Sequence, residues 1–209
     1  MDRPNVAVIY YSATGTVSRL ARAVAEGAAH AGADVRLRQV RELVGESAIQ
    51  ANPAWAAHRQ ATREIPVADQ ADLEWADGYV FGTPTRHGGI AAQLKFFFDT
   101  TASGGNLGRF ADRVAAGFTA AGHLHGGHEA TLLNLYGLLS LWGCILVPPG
   151  FAHPSVVAGG NPFGVSATAA NGQPQPSPEV LAAAHYLGAR VATISARLRR
   201  GHPTSAPAV

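Results

Sequence analysis

The chain has 209 residues, 47% of them hydrophobic and 14% charged, with a formal net charge of +2. That suits one globular domain with a full core and no need of disulfides. It argues against a nucleic-acid-binding surface, which wants clustered lysine and arginine: Lys95 is the single lysine, and the basic cluster from Arg197 to Arg200 reads as the solvated end of a helix. The one cysteine, Cys144, sits in an apolar run and reads as a small core residue. The first residues are followed by only about seven apolar ones, too few for a signal segment or a membrane span, so a soluble, cytoplasmic protein is expected.

Asn5 to Tyr11 is an unbroken apolar run rich in Val and Ile, as expected of a strand buried on both faces. Val17, Leu20, Ala21, Val24 and Ala28 then recur at helical spacing, up to a stop near Gly32. Further strands are predicted at Asp34 to Val40, Gly78 to Gly82, Val114 to Ala121 and Cys144 to Val147. Helices are predicted from Ile90, over Glu129 to Leu141, and over Pro178 to Arg199. Ser177 is the expected N-cap of the last helix, with Pro178 at its first position and Glu179 in its first turn. Strands alternating with helices predict an α/β fold, a five-stranded parallel sheet doubly wound by helices on both faces. Residues 42–68 and 150–176 break the rhythm and are expected to be surface excursions from a single domain over 1–200; 201–209 is expected to be a flexible tail.

The stretch YYSATGT, residues 10–16, joins the first strand to the first helix. In open α/β sheets ligands sit beyond the carboxyl ends of the strands. A helix N-terminus there offers free N–H groups and the positive end of a dipole. Ser12, Thr14 and Thr16 add hydroxyl donors, and Gly15 lets the backbone approach a ligand. The loop therefore suits a phosphate. It lacks the lysine of a Walker A loop and the three glycines of a dinucleotide fingerprint. Binding phosphate through hydroxyls and amides without a cation is the flavodoxin solution for flavin mononucleotide (FMN). A short Ser/Thr/Gly turn before an ordinary helix remains the alternative.

Longer stretches carry a resemblance. GYVFGTPTRHGGIAAQLKFFFDTT, residues 78–101, is similar to the segment after the third strand in the tryptophan repressor-binding protein family of NAD(P)H:quinone oxidoreductases. The run VIYYSATGTVSRLARAVAEGA and two later segments resemble that family as well, nearly end to end. The resemblance implies a flavodoxin-like fold with strand order 2-1-3-4-5, non-covalent FMN, NADH or NADPH as hydride donor, a quinone as acceptor, and a homotetramer. It places Ser12, Ala13, Thr14, Gly15, Thr16 and Val17 around the flavin phosphate. Pro84, Thr85, Arg86 and His87 would lie along the ring, and Ala120, Ala121, Gly122, His123 and Gly126 would complete its edge. An arginine such as Arg86 near a reduced flavin would favour its negative charge; a structural ion pair is the other reading of Arg86.

The chain departs from the family at the substrate side of the flavin. His87 stands where an aromatic residue is usual, Gly105 in place of a Trp, Leu141 in place of a His, and Thr14 in place of a Tyr in the phosphate loop. These changes leave FMN binding supported and quinone specificity open. The loop HLHGGHE, residues 123–129, spaces His123, His125 and His128 like the metal motif of a metal-dependent hydrolase, but Gly127 stands where that motif needs an Asp. No metal site is expected. A flavin carrier or partner-binding protein with little turnover is the second reading, the hydrolase the third.

Overall fold

The computed structural model describes residues 3–101, 107–169 and 176–201. Strand β1 (Asn5–Tyr10) is followed by helix α1 (Thr16–His30), β2 (Asp34–Gln39), α2 (Glu46–Gln50), α3 (Pro53–Ala61) and α4 (Gln70–Trp75). Then come β3 (Gly78–Pro84), α5 (Ala92–Thr101), a short 3-10 turn at Leu107–Phe110, β4 (Val114–Ala121) and α6 (His128–Leu141). The chain ends with β5 (Ile145–Leu146), α7 (Pro154–Gly159), β6 (Val165–Thr168) and α8 (Pro178–Gly201).

The strands are parallel and run in the order β2-β1-β3-β4-β5, as the resemblance implies. Alternation along β1 explains the double winding. Val6, Val8 and Tyr10 enter one core with α1 and α8, while Ala7, Ile9 and Tyr11 enter the other with α5 and α6. In the second core Phe81, Phe98, Phe110 and Trp142 pack at ring separations of 4.7–4.9 Å. Trp142 is thus a core residue. On the opposite face α1 and α8 touch backbone to backbone. A Cβ at Gly27 would fall 1.9 Å from the His185 carbonyl oxygen, and one at Gly188 would fall 1.9 Å from that of Val24. Only glycine permits this crossing.

The fifth position of the sheet differs from expectation. It holds two short strands rather than one. β5 pairs with the start of β4 (Val114↔Ile145, Ala115↔Leu146) and β6 with its end (Phe118↔Val165 through Ala121↔Thr168). Val165–Thr168 falls in a stretch that the sequence reading gives to a surface excursion, because four residues among glycines and polar residues carry too little alternation to mark a strand. The chain between the two strands is tied back firmly. Tyr136 on α6 donates to the Phe163 carbonyl, and the Gly117 N–H donates to the Tyr136 hydroxyl (3.3 Å). Asn161, buried, donates to Glu129 Oε1 and to Ser166 Oγ.

At the amino ends of the strands, Asp77 accepts from the Asn5 N–H (2.8 Å) and pairs with Arg113 (3.3 Å) and Arg199 (2.6 Å). Asp72 on α4 caps its own helix through a reciprocal bond with Asp69 and pairs with Arg36 and Arg38 of β2. The chain contains no helix long and apolar enough to cross a membrane among the described residues.

Candidate flavin site

The loop after β1 is built around Gly15, which has φ 107° and stands at the N-cap of α1. A left-handed residue there turns the chain sharply into the helix. The Gly15 N–H donates to Ser12 Oγ (3.1 Å), which closes the loop. No side chain caps α1, and its first turn holds no acidic residue. Its terminal N–H groups and the positive end of its dipole therefore open onto the loop.

Two further loops meet it. The Tyr11 N–H donates to the Gly82 carbonyl (3.0 Å), and the Thr85 N–H donates to the Ala120 carbonyl (2.8 Å), so the ends of β1, β3 and β4 stand side by side. Between them lies a cavity of about 200 Å³. Ser12, Ala13, Thr14, Thr16 and Val17 line one side, Pro84 and Arg86 another, and Ala120, Ala121 and Gly122 a third. Sequence reasoning missed one lining residue, Ala169, which follows β6 and could be found only by recognising that strand.

The remaining expected residues stand elsewhere. Gly15 shapes the loop from behind. Thr85 turns inward: its hydroxyl meets Thr119 Oγ1 (3.3 Å) and accepts from Thr131 Oγ1 (3.1 Å), fastening the loop to β4 and α6. His87 is exposed at φ 51° in the tight turn that Arg86 and Gly89 close with reciprocal 2.9 Å backbone bonds. His123 is exposed, and Gly126 donates to the His123 carbonyl (3.0 Å) in a turn where a Cβ would lie 2.7 Å from that of Ala121. Arg86 donates to the Thr85 carbonyl (3.2 Å) and makes no ion pair among the described residues. Gly105 lies outside the described residues.

Leu141 does not border the cavity of its own chain. It is exposed at the C-terminus of α6, whose N-terminus is the end near the cavity, and a helix of that length spans about 20 Å. The three histidines also part company. His123 and His125 face solvent while His128 is buried, and no group of three metal-ligating side chains occurs among the described residues. Burial pushes the Cys144 thiol up to about 12, away from the reactive thiolate, and it donates weakly to the Phe110 carbonyl.

A second network, unforeseen from sequence, braces the loop. Glu42, after β2, accepts from the Tyr11 hydroxyl (3.0 Å), Gln93 (2.9 Å) and the Leu43 and Val44 N–H groups. Burial alone would raise its carboxyl; these donors outweigh that and hold it below the usual range. Burial and the adjoining Glu42 charge raise Tyr11, so it stays a neutral donor. His58 of α3 lies over the loop, its Nδ1 3.4 Å from where a Gly15 Cβ would stand.

A family model for NADPH-dependent FMN reductase matches residues 4–156. A Deinococcus radiodurans protein described as NAD(P)H dehydrogenase (quinone) is 42% identical over 170 residues, covering 81% of this chain and 84% of that protein. One of the same description from Sinorhizobium fredii is 39% identical over 199 residues, covering 92% and 98%. Among solved structures, a WrbA-like flavodoxin from Agrobacterium tumefaciens superposes with a TM-score of 0.66 at 27% identity, covering 93% and 98%. An archaeal flavodoxin does so at 0.61 and 14% identity, covering 92% and 99%, which shows the shared fold alone. With a matched model over most of its length and relatives near 40% identity, the chain belongs to the NADPH-dependent FMN reductase family and has its flavodoxin-like fold.

Proposed function

We propose that the chain binds FMN in the cavity at the ends of β1, β3, β4 and β6 and works as an NAD(P)H:quinone oxidoreductase. The observation that carries this reading is the continuity of the cavity, from the uncapped N-terminus of α1 to the loop Ala120–Gly122. The donor set fits the cofactor. Ser12, Thr14 and Thr16 hydroxyls and helix N–H groups suit a phosphate dianion. The small, apolar Ala120 and Ala121 leave room for a flat ring at the cavity's open side. FMN bound there would supply reversible two-electron hydride chemistry.

The chain's own part is placement. The loop after β1 holds the phosphate end, Thr85 fastens the loop that carries Arg86, and the Arg86 guanidinium favours negative charge on the ring. No protein nucleophile takes part. The descriptions of the relatives support the reaction class. One open face would serve donor and acceptor in turn, which gives ping-pong kinetics. The protein acts in the cytoplasm as a homotetramer, in which the exposed Leu141 can border the pocket of another copy.

The test is reconstitution with FMN followed by oxidation of NADH and NADPH with benzoquinone. An oxidised-flavin spectrum and parallel double-reciprocal lines are expected. Bound FMN that neither nicotinamide bleaches within seconds would favour a flavin carrier instead.

A further inference from the structure

A larger recess, about 480 Å³, lies beside the flavin cavity and shares Ser12 with it. Its walls come from the end of β2 and from α3, the excursion that the flavin cavity does not use. The volume falls in the range of small-molecule sites. Three arginines line it: Arg41, Arg59 and Arg63. Its one acidic residue, Glu42, is engaged by Tyr11, Gln93 and two backbone N–H groups. Arg59 and Arg63 have exposed acidic neighbours, Glu46 and Glu64, pairs that solvent screens. Arg41 makes no ion pair among the described residues. Behind the recess, Arg19 and Arg22 of α1 act electrostatically on His58, so the positive field extends to the phosphate loop. Trp55, half-buried in the wall, offers an aromatic surface.

An arginine-lined recess with an indole wall has the two elements that a phosphorylated adenosine needs: guanidinium forks for a phosphate ester and a flat surface for a base. We propose that this recess binds the phosphorylated adenosine moiety of a dinucleotide, with Arg41 and Arg63 on a phosphate of that moiety and Trp55 against its base. The proposed oxidoreduction offers two sources of that chemistry, the 2′-phosphoadenosine end of NADPH and the adenylate half of FAD. The inference rests on that reading for the kinetic arm of its test and for the displacement of FMN; the nucleotide titration needs no turnover.

The binding arm titrates adenosine 2′,5′-bisphosphate and 5′-AMP into the FMN-loaded protein by calorimetry. The bisphosphate is expected to bind about tenfold tighter than AMP, the equivalent of one charge-assisted contact, and Arg41→Ala/Arg63→Ala is expected to abolish the difference. Both side chains are exposed, and circular dichroism checks that the variant keeps its fold. In the kinetic arm the same variant raises KM for NADPH about tenfold relative to KM for NADH, which assigns the site to NADPH. If instead FAD displaces FMN from the wild type and loses that advantage in the variant, the site takes the adenylate of FAD. Absence of saturable binding by either nucleotide at millimolar concentration, or equal binding untouched by the double substitution, overturns the proposal. Failure of turnover with binding intact would count against the proposed reaction and leave the recess assigned.

Discussion

Asp77, at the amino ends of the strands, is fully engaged: two arginines and a backbone N–H converge on one mostly buried carboxylate. At the carboxyl ends, Arg19, Arg22, Arg41 and Arg86 make no ion pair among the described residues, and the N-terminus of α1 is left without a side-chain cap. The difference teaches which end is structural. Where the protein satisfies its own polar groups, nothing remains to attract a ligand. Where it leaves donors facing a cavity, there is a set that a ligand can complete.

The comparison breaks most visibly at Asp77. Asp77→Ala is expected to lower unfolding stability by about 3–5 kcal/mol, since it withdraws one mostly buried carboxylate from Arg113, Arg199 and the Asn5 N–H at once. Urea denaturation measures the loss, and FMN affinity of the folded fraction should be unchanged. A weaker flavin complex with normal stability would invert the assignment of the two ends. Next in size, Ser12→Ala/Thr14→Ala should weaken FMN by about 2–4 kcal/mol, two hydrogen bonds to a charged group, while the urea midpoint of the flavin-free protein stays near wild type. Calorimetry showing undiminished FMN affinity would place the phosphate elsewhere.

The smallest effect is on pH. Burial, then Arg22 and Arg19, lower the pKa of His58 in the folded protein. The unfolded chain titrates near the free value, about 6.5, so between the two values it holds the extra proton. The stabilisation from a neutral His58 is present above about pH 6.5 and is lost as pH falls through the folded-state value. His128 shifts in the same direction, also chiefly by burial. Stability of the flavin-free protein should therefore decline on acidification, less so in His58→Gln. Bound phosphate beside His58 supplies an opposing charge and should flatten the decline further. A pH profile indifferent to both the substitution and FMN would remove His58 from the phosphate's surroundings.

How far the molecule could be read beforehand follows from signal length. β1 and β4 carry long apolar runs, and α1 a full amphipathic stripe, so their positions and the doubly wound parallel sheet were legible, while the 2-1-3-4-5 order came from the family resemblance. The loop after β1 was legible as a lining of the cavity because Ser12, Thr14, Gly15 and Thr16 fall within five residues at a strand-to-helix junction. β6 was not, since four residues show no dependable period. Thr85 was placed along the ring by resemblance, which gives no rotamer; the structure adds that its hydroxyl meets Thr119 and Thr131. Leu141 was read as a pocket residue from resemblance, which compares positions along the chain and not distances from the cavity. His58 and Glu42 lie far along the chain from the loop they brace, and nothing local announces such contacts.

The divided fifth strand has a consequence for how the chain can change length. Opposite β4, Leu146 stands at Ala115 and Val165 at Phe118, which leaves two places, at Ala116 and Gly117. Val147 and Pro148 would fill those two places if residues 149–164 were removed, and every residue from Val165 to Thr168 would keep its partner. The excursion is thus inserted in phase with the sheet. A segment joined in this way can be lengthened, shortened or exchanged during evolution while Ala169 stays at the mouth of the cavity. The edge of this sheet is a socket for new sequence, one that can change length without altering the register of β6 on β4.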